Sequence, residues 1–85
     1  MPSRKNPRRL TLADVPRKVQ ARIVAVRRAD EATLRLMEMG VVPGASAVML
    51  GRAPLGDPIH YRVDDCELSI RREQARLVEV ELLAG

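Results

Sequence analysis

His60 and Cys66 are the one histidine and the one cysteine in the 85 residues, and Asp64, Asp65 and Glu67 stand beside them. A cysteine nucleophile with a histidine base requires the two side chains within about 3 Å of each other. The spacing predicts otherwise. A two-residue hairpin loop at Asp64-Asp65 sets Val63 opposite Cys66, Tyr61 opposite Leu68 and Ile59 opposite Ile70. These six share one face because side chains alternate along a strand. His60, Arg62, Glu67, Ser69 and Arg71 take the other face, with Arg62 directly opposite Glu67. A slip of one residue destroys this separation of apolar from polar. His60 and Cys66 therefore point to opposite faces of one hairpin. No glycine-rich loop has phosphate-loop spacing either, so the chain is expected not to be an enzyme.

A metal ion would meet His60 and Glu67 first, as diagonal neighbours on the polar face, with Asp64 at the nearby tip. One imidazole and two carboxylates on a small surface fall short of a resident site for a first-row ion. A zinc ion completed by a neighbouring molecule is the arrangement these residues could support. No metal and no cofactor is expected within the chain itself. The plain alternative is a solvated histidine beside an Arg62–Glu67 pair.

Composition narrows the remaining functions. There is one tyrosine and no phenylalanine or tryptophan. Grooves for proline-rich peptides and platforms for single-stranded nucleic acid both need several aromatic rings, which Tyr61 alone cannot supply. A single cysteine excludes an intramolecular disulfide. No apolar run approaches the ~20 residues that span a bilayer, and none follows the basic N-terminus as a signal peptide would require. A cytoplasmic protein is expected.

The net charge of +4 is unevenly spread. Residues 1–28 hold nine basic groups and one acid, Asp14; residues 29–85 hold six basic groups and ten acids. The first third is therefore strongly basic and the remainder acidic. Residues 1–9, with Pro2, Pro7 and little that is apolar, are expected to form a basic disordered tail. Such an arm either meets phosphates or the anionic inner membrane surface, or is simply solvated. It lacks any reader of base identity, so no nucleic-acid partner is expected.

One domain is what this length allows, placed at residues 10–83 and burying roughly 60–65% of its unfolded surface. Thr11 and Asp14 have loose capping-box spacing for one helical turn ending at Pro16. Val19 to Val26 is β-branched and reads as a strand. Asp30 caps a short amphipathic helix over 31–39, with Ala32, Leu36 and Met39 on one stripe and Gly40 as its C-terminal stop. Pro43-Gly44 has type II turn chemistry, and Ala45 to Arg52 reads as a second strand. The hairpin follows, then a short turn over Arg72 to Arg76 and a last strand from Leu77 to Leu82. The sum is a mainly β fold: a small five-stranded barrel with one short inserted α-helix, closed so that few edges are exposed.

Three blocks now stand out: Leu36-Met37-Glu38-Met39-Gly40-Val41-Val42-Pro43-Gly44, Arg52-Ala53-Pro54-Leu55-Gly56-Asp57-Pro58, and Leu68-Ser69-Ile70-Arg71-Arg72. Together they resemble the FeoA family, the small cytosolic component of bacterial ferrous iron uptake, from about Leu10 to Glu81. The resemblance implies an SH3-like barrel. It also implies a partner, the FeoB ferrous iron permease with its cytosolic G-protein domain. The same fold serves as the C-terminal domain of iron- and manganese-dependent repressors, but this chain shows no helix-turn-helix. Three positions depart from the family pattern. Arg17 follows Pro16 where Gly is usual, Asp65 stands where Gly is common, and Cys66 replaces a larger residue.

Protein binding is the function these residues favour. Pro54, Leu55, Gly56 and Asp57 form a stiffened loop carrying an apolar residue and a charge, which loses little entropy on docking. Met39 and Val41 are expected beside it. The alternative for Leu55 is to fold back and plug one mouth of the barrel. A second patch follows if Ile23, Ala25, Ala47 and Met49 face inward. Val24, Val26, Val48 and Leu50 would then lie outside, where a partner or a homo-oligomer would cover them. The sequence thus reads as a non-enzymatic adaptor that docks on the permease and modulates it. The rival readings are a basic nucleic-acid-binding barrel and a metal-sensing regulatory domain.

Overall fold

Apolar alternation on either side of Asp64-Asp65 is realised residue for residue in the computed structural model, which describes residues 10–27 and 30–83. In chain order the strands are β1 (Leu10–Thr11), β2 (Gln20–Val26), β3 (Ser46–Arg52), β4 (Ile59–Val63), β5 (Cys66–Ile70) and β6 (Val78–Leu82). Helix α1 (Glu31–Glu38) separates β2 from β3, and α2 (Arg72–Ala75) separates β5 from β6. All strands pair antiparallel in one sheet, in the order β1-β6-β2-β3-β4-β5. The expected five strands are thus joined by a sixth. Strand β1 is two residues long, Leu10 opposite Val80 and Thr11 opposite Glu79, too short to show any periodicity. The expected tail over residues 1–9 lies outside the described residues. Among the described residues no helix is long and apolar enough to cross a membrane.

The β4–β5 register sets Ile59 opposite Ile70, Tyr61 opposite Leu68, Arg62 opposite Glu67 and Val63 opposite Cys66. Ile59, Tyr61, Val63, Leu68 and Ile70 are all buried. Cys66 shares their face but is exposed; it is the first residue of β5, which lies at the edge of the sheet. Asp64 takes the left-handed conformation, φ 52°, which a short Asp side chain tolerates. Its carboxylate accepts from the Ser46 N–H at 3.1 Å, and its own N–H donates to the Ser46 carbonyl at 2.8 Å. The left-handed demand thus falls on Asp64, and Asp65 needs no glycine.

Helix α1 starts where Asp30 Oδ1 accepts from the Thr33 N–H at 2.9 Å. Its C-terminus is a Schellman motif. Gly40, φ 110°, donates to the Met37 carbonyl at 3.1 Å, and Val41 donates to the Leu36 carbonyl at 2.9 Å. The motif brings Val41 back onto Leu36, and both are buried. The inward stripe is therefore Thr33 and Leu36. Met39, expected on that stripe, is the capping residue and is half exposed.

Two β-bulges decide which side chains turn inward. The pairing of β2 with β6 shifts between Ile23 and Ala25, so parity reverses and Val26 faces the fully buried Val78. Val26 packs against the core rather than outside it. A second shift, between Met49 and Gly51 on β3, sets Leu50 at a bulge. Val48 lies opposite Gln20, four residues along β2 from Val24. The outer patch expected from Val24, Val26, Val48 and Leu50 does not assemble.

Tyr61 is fully buried, and its hydroxyl donates to the Leu12 carbonyl at 2.6 Å. Leu12 opens a 3-10 turn, Leu12–Asp14, closed by Asp14 Oδ2 accepting from the Thr11 N–H at 2.9 Å. One phenol thus ties the hairpin to the segment entering β2. Burial pushes the Tyr61 pKa well above its ordinary value; Arg52 lowers it somewhat and Asp14 adds to the rise. The folded state therefore favours the neutral phenol. This contribution is full below pH 10, the ordinary value, and is lost as pH rises beyond it. Chemical unfolding followed from pH 8 to 11 should show stability falling above pH 10 in the wild type and falling less in Tyr61→Phe. At neutral pH that variant should lose about 1 kcal/mol, because the Val15 N–H still reaches the same carbonyl at 3.3 Å.

The entry to β2 holds a second left-handed residue, Lys18, at φ 68°. Its N–H donates to the Met49 carbonyl at 2.9 Å, so the conformation is held by β3. The strained position thus lies at Lys18, one residue beyond the Arg17 that departs from the family pattern. Lys18→Gly should raise stability by about 0.5–1 kcal/mol in urea unfolding, since only glycine adopts this φ freely.

Candidate functional site

Between β3 and β4 the chain makes a loop whose sequence, Ala53-Pro54-Leu55-Gly56-Asp57-Pro58, dictates its shape. Pro54 presets the first corner of a turn, and the Gly56 N–H donates to the Ala53 carbonyl at 2.7 Å. Gly56 takes φ 90°, where an L side chain would be strained. The Ala53 N–H closes the base on the Pro58 carbonyl at 3.0 Å. Asp57 Oδ1 accepts from the Arg72 N–H at 2.9 Å, satisfying a donor that α2 leaves open at its first turn. Asp57 therefore anchors the loop to α2.

Leu55, at the apex, is 97% exposed. It does not fold back to plug the barrel, because the turn and the Asp57 anchor hold its backbone away from the core. Pro54 and Asp57 are also exposed and Gly56 is half-buried. Met39, which caps the C-terminus of α1, is exposed. Val41 is fully buried in the core and presents no docking surface. The Gly40 stop followed by an apolar residue was the sequence signal for that burial, since a Schellman motif packs its second outer residue against the helix.

Beside the loop lies an open groove of about 310 Å³, lined by Leu50, Gly51, Arg52, Ala53, Pro58, His60 and Ser69. It follows from the β3 bulge, which sequence reading could not locate. Three arginines also border the loop. Arg52 precedes it, and Arg71 and Arg72 continue β5 past Ile70, opposite its Asp57-Pro58 end. A Cβ added at Gly56 would meet the Arg72 guanidinium at 3.4 Å. Sequence reading passed over these arginines because their proximity depends on long-range pairing.

The metal candidates are brought together in part. His60 Nε2 lies 3.2 Å from Glu67 Oε1, and Nδ1 lies 3.3 Å from Ser69 Oγ. Arg62 donates to the other Glu67 oxygen at 3.1 Å. The Arg62 hydrogen bond, and then that of His60, hold the Glu67 carboxyl below its ordinary range. Asp64 is turned to the Ser46 N–H instead. No group of three His, Cys, Asp or Glu side chains able to hold a metal ion occurs among the described residues. Both imidazole nitrogens and both Glu67 oxygens already have partners, so this cluster joins β4 to β5.

Comparison with known proteins gives a consistent answer. The model of the FeoA domain family matches residues 10–82. A protein of Porphyromonas gingivalis, described as a fusion of Fe(2+) transport protein A with the Fe(2+) transporter FeoB, is 42% identical over 66 residues. That match covers 78% of this chain and 8% of the curated fusion protein. The solution structure of FeoA from Chlorobium tepidum superimposes with a TM-score of 0.83 at 34% identity, covering 89% of this chain and 72% of that one. The crystal structure of Stenotrophomonas maltophilia FeoA complexed with zinc, described as an SH3 domain protein, gives 0.75 at 28% identity. It covers 85% of this chain and 89% of that one. The sheet described above is thus SH3-like.

Asp57→Ala should lower stability by about 1 kcal/mol, as loss of a helix-capping carboxylate does. Amide exchange should rise at Gly56 and Arg72 and stay unchanged at Tyr61, which hydrogen-exchange NMR would resolve.

Proposed function

This chain belongs to the FeoA family, and from that membership we propose that it is a non-enzymatic accessory protein of ferrous iron uptake. In this reading it docks from the cytoplasm on the G-protein domain side of the FeoB permease and biases the state of that domain. The observation that carries the reading is Leu55, a large apolar side chain 97% exposed on a loop stiffened by Pro54 and anchored through Asp57. A side chain held rigid in water before docking loses little entropy when a pocket receives it. The Porphyromonas gingivalis relative supports the choice of partner, since there a homologous segment is described as fused to FeoB. Modulation of the permease requires different affinity for its two nucleotide states.

The rival readings draw less support from the site. The single tyrosine is buried, so no aromatic ring is presented for stacking on a base. A metal-sensing role would rest on His60 and Glu67, which already satisfy each other.

Binding to the cognate permease, and to its G-protein domain alone, tests the proposal with GDP and with a GTP analogue. Wild type should bind one nucleotide state more tightly, and Leu55→Asp should weaken that binding by at least about thirtyfold, as loss of a central anchor does. Equal binding in both states would remove the regulatory part of the proposal. Binding to the whole permease but not to the G-protein domain would move the docking site to the membrane portion.

A further inference from the structure

The loop that carries Leu55 is flanked at both ends by positive charge. Arg52 leads into its loop, and Arg71 and Arg72 stand against its far end. All three are exposed. The loop's own carboxylate, Asp57, accepts from the Arg72 backbone N–H. Glu73 follows Arg72 one helical position on, about 100° around the axis. Elsewhere arginines pair with acids: Arg22 with Glu81 at 3.7 Å, Arg27 with Glu79 at 3.3 Å and Arg62 with Glu67 at 3.1 Å. An apolar knob thus stands on a loop with cationic side chains at both ends, a partial collar.

We propose that the collar of Arg52, Arg71 and Arg72 selects the docking partner by charge: its surface is a protein socket, apolar at the centre for Leu55 and rimmed by Asp and Glu side chains. This rests on the docking function proposed above and specifies the chemistry of the partner's site. Shape favours protein over lipid. The groove of about 310 Å³ beside the knob can receive a protruding side chain, which a bilayer surface does not offer. A single leucine is also a weak membrane anchor, since stable attachment takes two signals. Charges at an interface rim act mainly on the association rate and its salt dependence.

The test measures association and dissociation rates with the detergent-solubilised cognate permease from 50 to 300 mM NaCl. The proteins compared are wild type, Leu55→Asp, the triple variant Arg52→Gln/Arg71→Gln/Arg72→Gln, and a control triple, Arg22→Gln/Arg35→Gln/Arg62→Gln, which removes equal charge elsewhere. Circular dichroism verifies that each is folded. The expected result is a wild-type association rate that falls with salt. At 50 mM the collar triple should associate at least about tenfold more slowly, with a flattened salt slope and a nearly unchanged dissociation rate. The control triple should keep most of the slope. Leu55-dependent binding that ignores salt and the collar triple would overturn the collar and leave the docking proposal standing. Collar-dependent binding to vesicles of 30% phosphatidylglycerol, without binding to the permease, would reassign the surface to lipid. Binding to neither would overturn both proposals.

Discussion

The register of β4 against β5 is the constraint on which the rest depends. With Tyr61 opposite Leu68, the phenol enters the barrel and reaches the Leu12 carbonyl. That bond, 2.6 Å long between residues 49 apart in sequence, holds the entering segment against the hairpin. A slip of one residue would send Tyr61 to solvent and the Arg62–Glu67 pair into the core, where unpaired charge is costly. The same register runs on past Ile70 and brings Arg72 to Asp57. The geometry of the exposed loop thus descends from the hairpin that follows it in the chain.

The Leu55 loop illustrates how a small β fold displays an apolar residue without losing it to the core. Pro54 limits the backbone on one side of Leu55, Gly56 takes a conformation closed to most residues on the other, and Asp57 ties the end to α2. Two of these devices are local backbone restraints and the third is a polar tie to α2. The hydrophobic effect would favour burying Leu55, but three backbone constraints within four residues keep it out. The core is complete without it, filled by Tyr61, Ile23, Ile59, Ile70 and Leu12.

Functional economy shows also in what the polar face does. His60, Arg62, Glu67 and Ser69 read as a possible metal cluster when only their types are considered. Set in place, each satisfies its neighbour across two strands. The groove that His60 and Ser69 help to line opens beside Leu55. The β3 bulge at Leu50 gives this face its shape next to the loop.

Much of this was legible in the residues themselves. The hairpin register follows from strict alternation about Asp64-Asp65, the helix from Asp30 and Gly40, and the loop from two prolines and a glycine. These are local signals, written within a few residues of the structure they specify. Val26 turning inward and Val41 closing against Leu36 depend on bulges and on the path of the chain in three dimensions. Strand β1 exists because β6 is there to pair with it. The arginines at the ends of the Leu55 loop have the same origin: Arg52 and Arg72 are twenty residues apart and are brought to one end of the sheet by pairing across β4 and β5. Periodicity determined which residues form strands and which face is apolar. Tertiary structure alone decided where parity breaks and which charges surround Leu55, because both are set by partners distant in sequence.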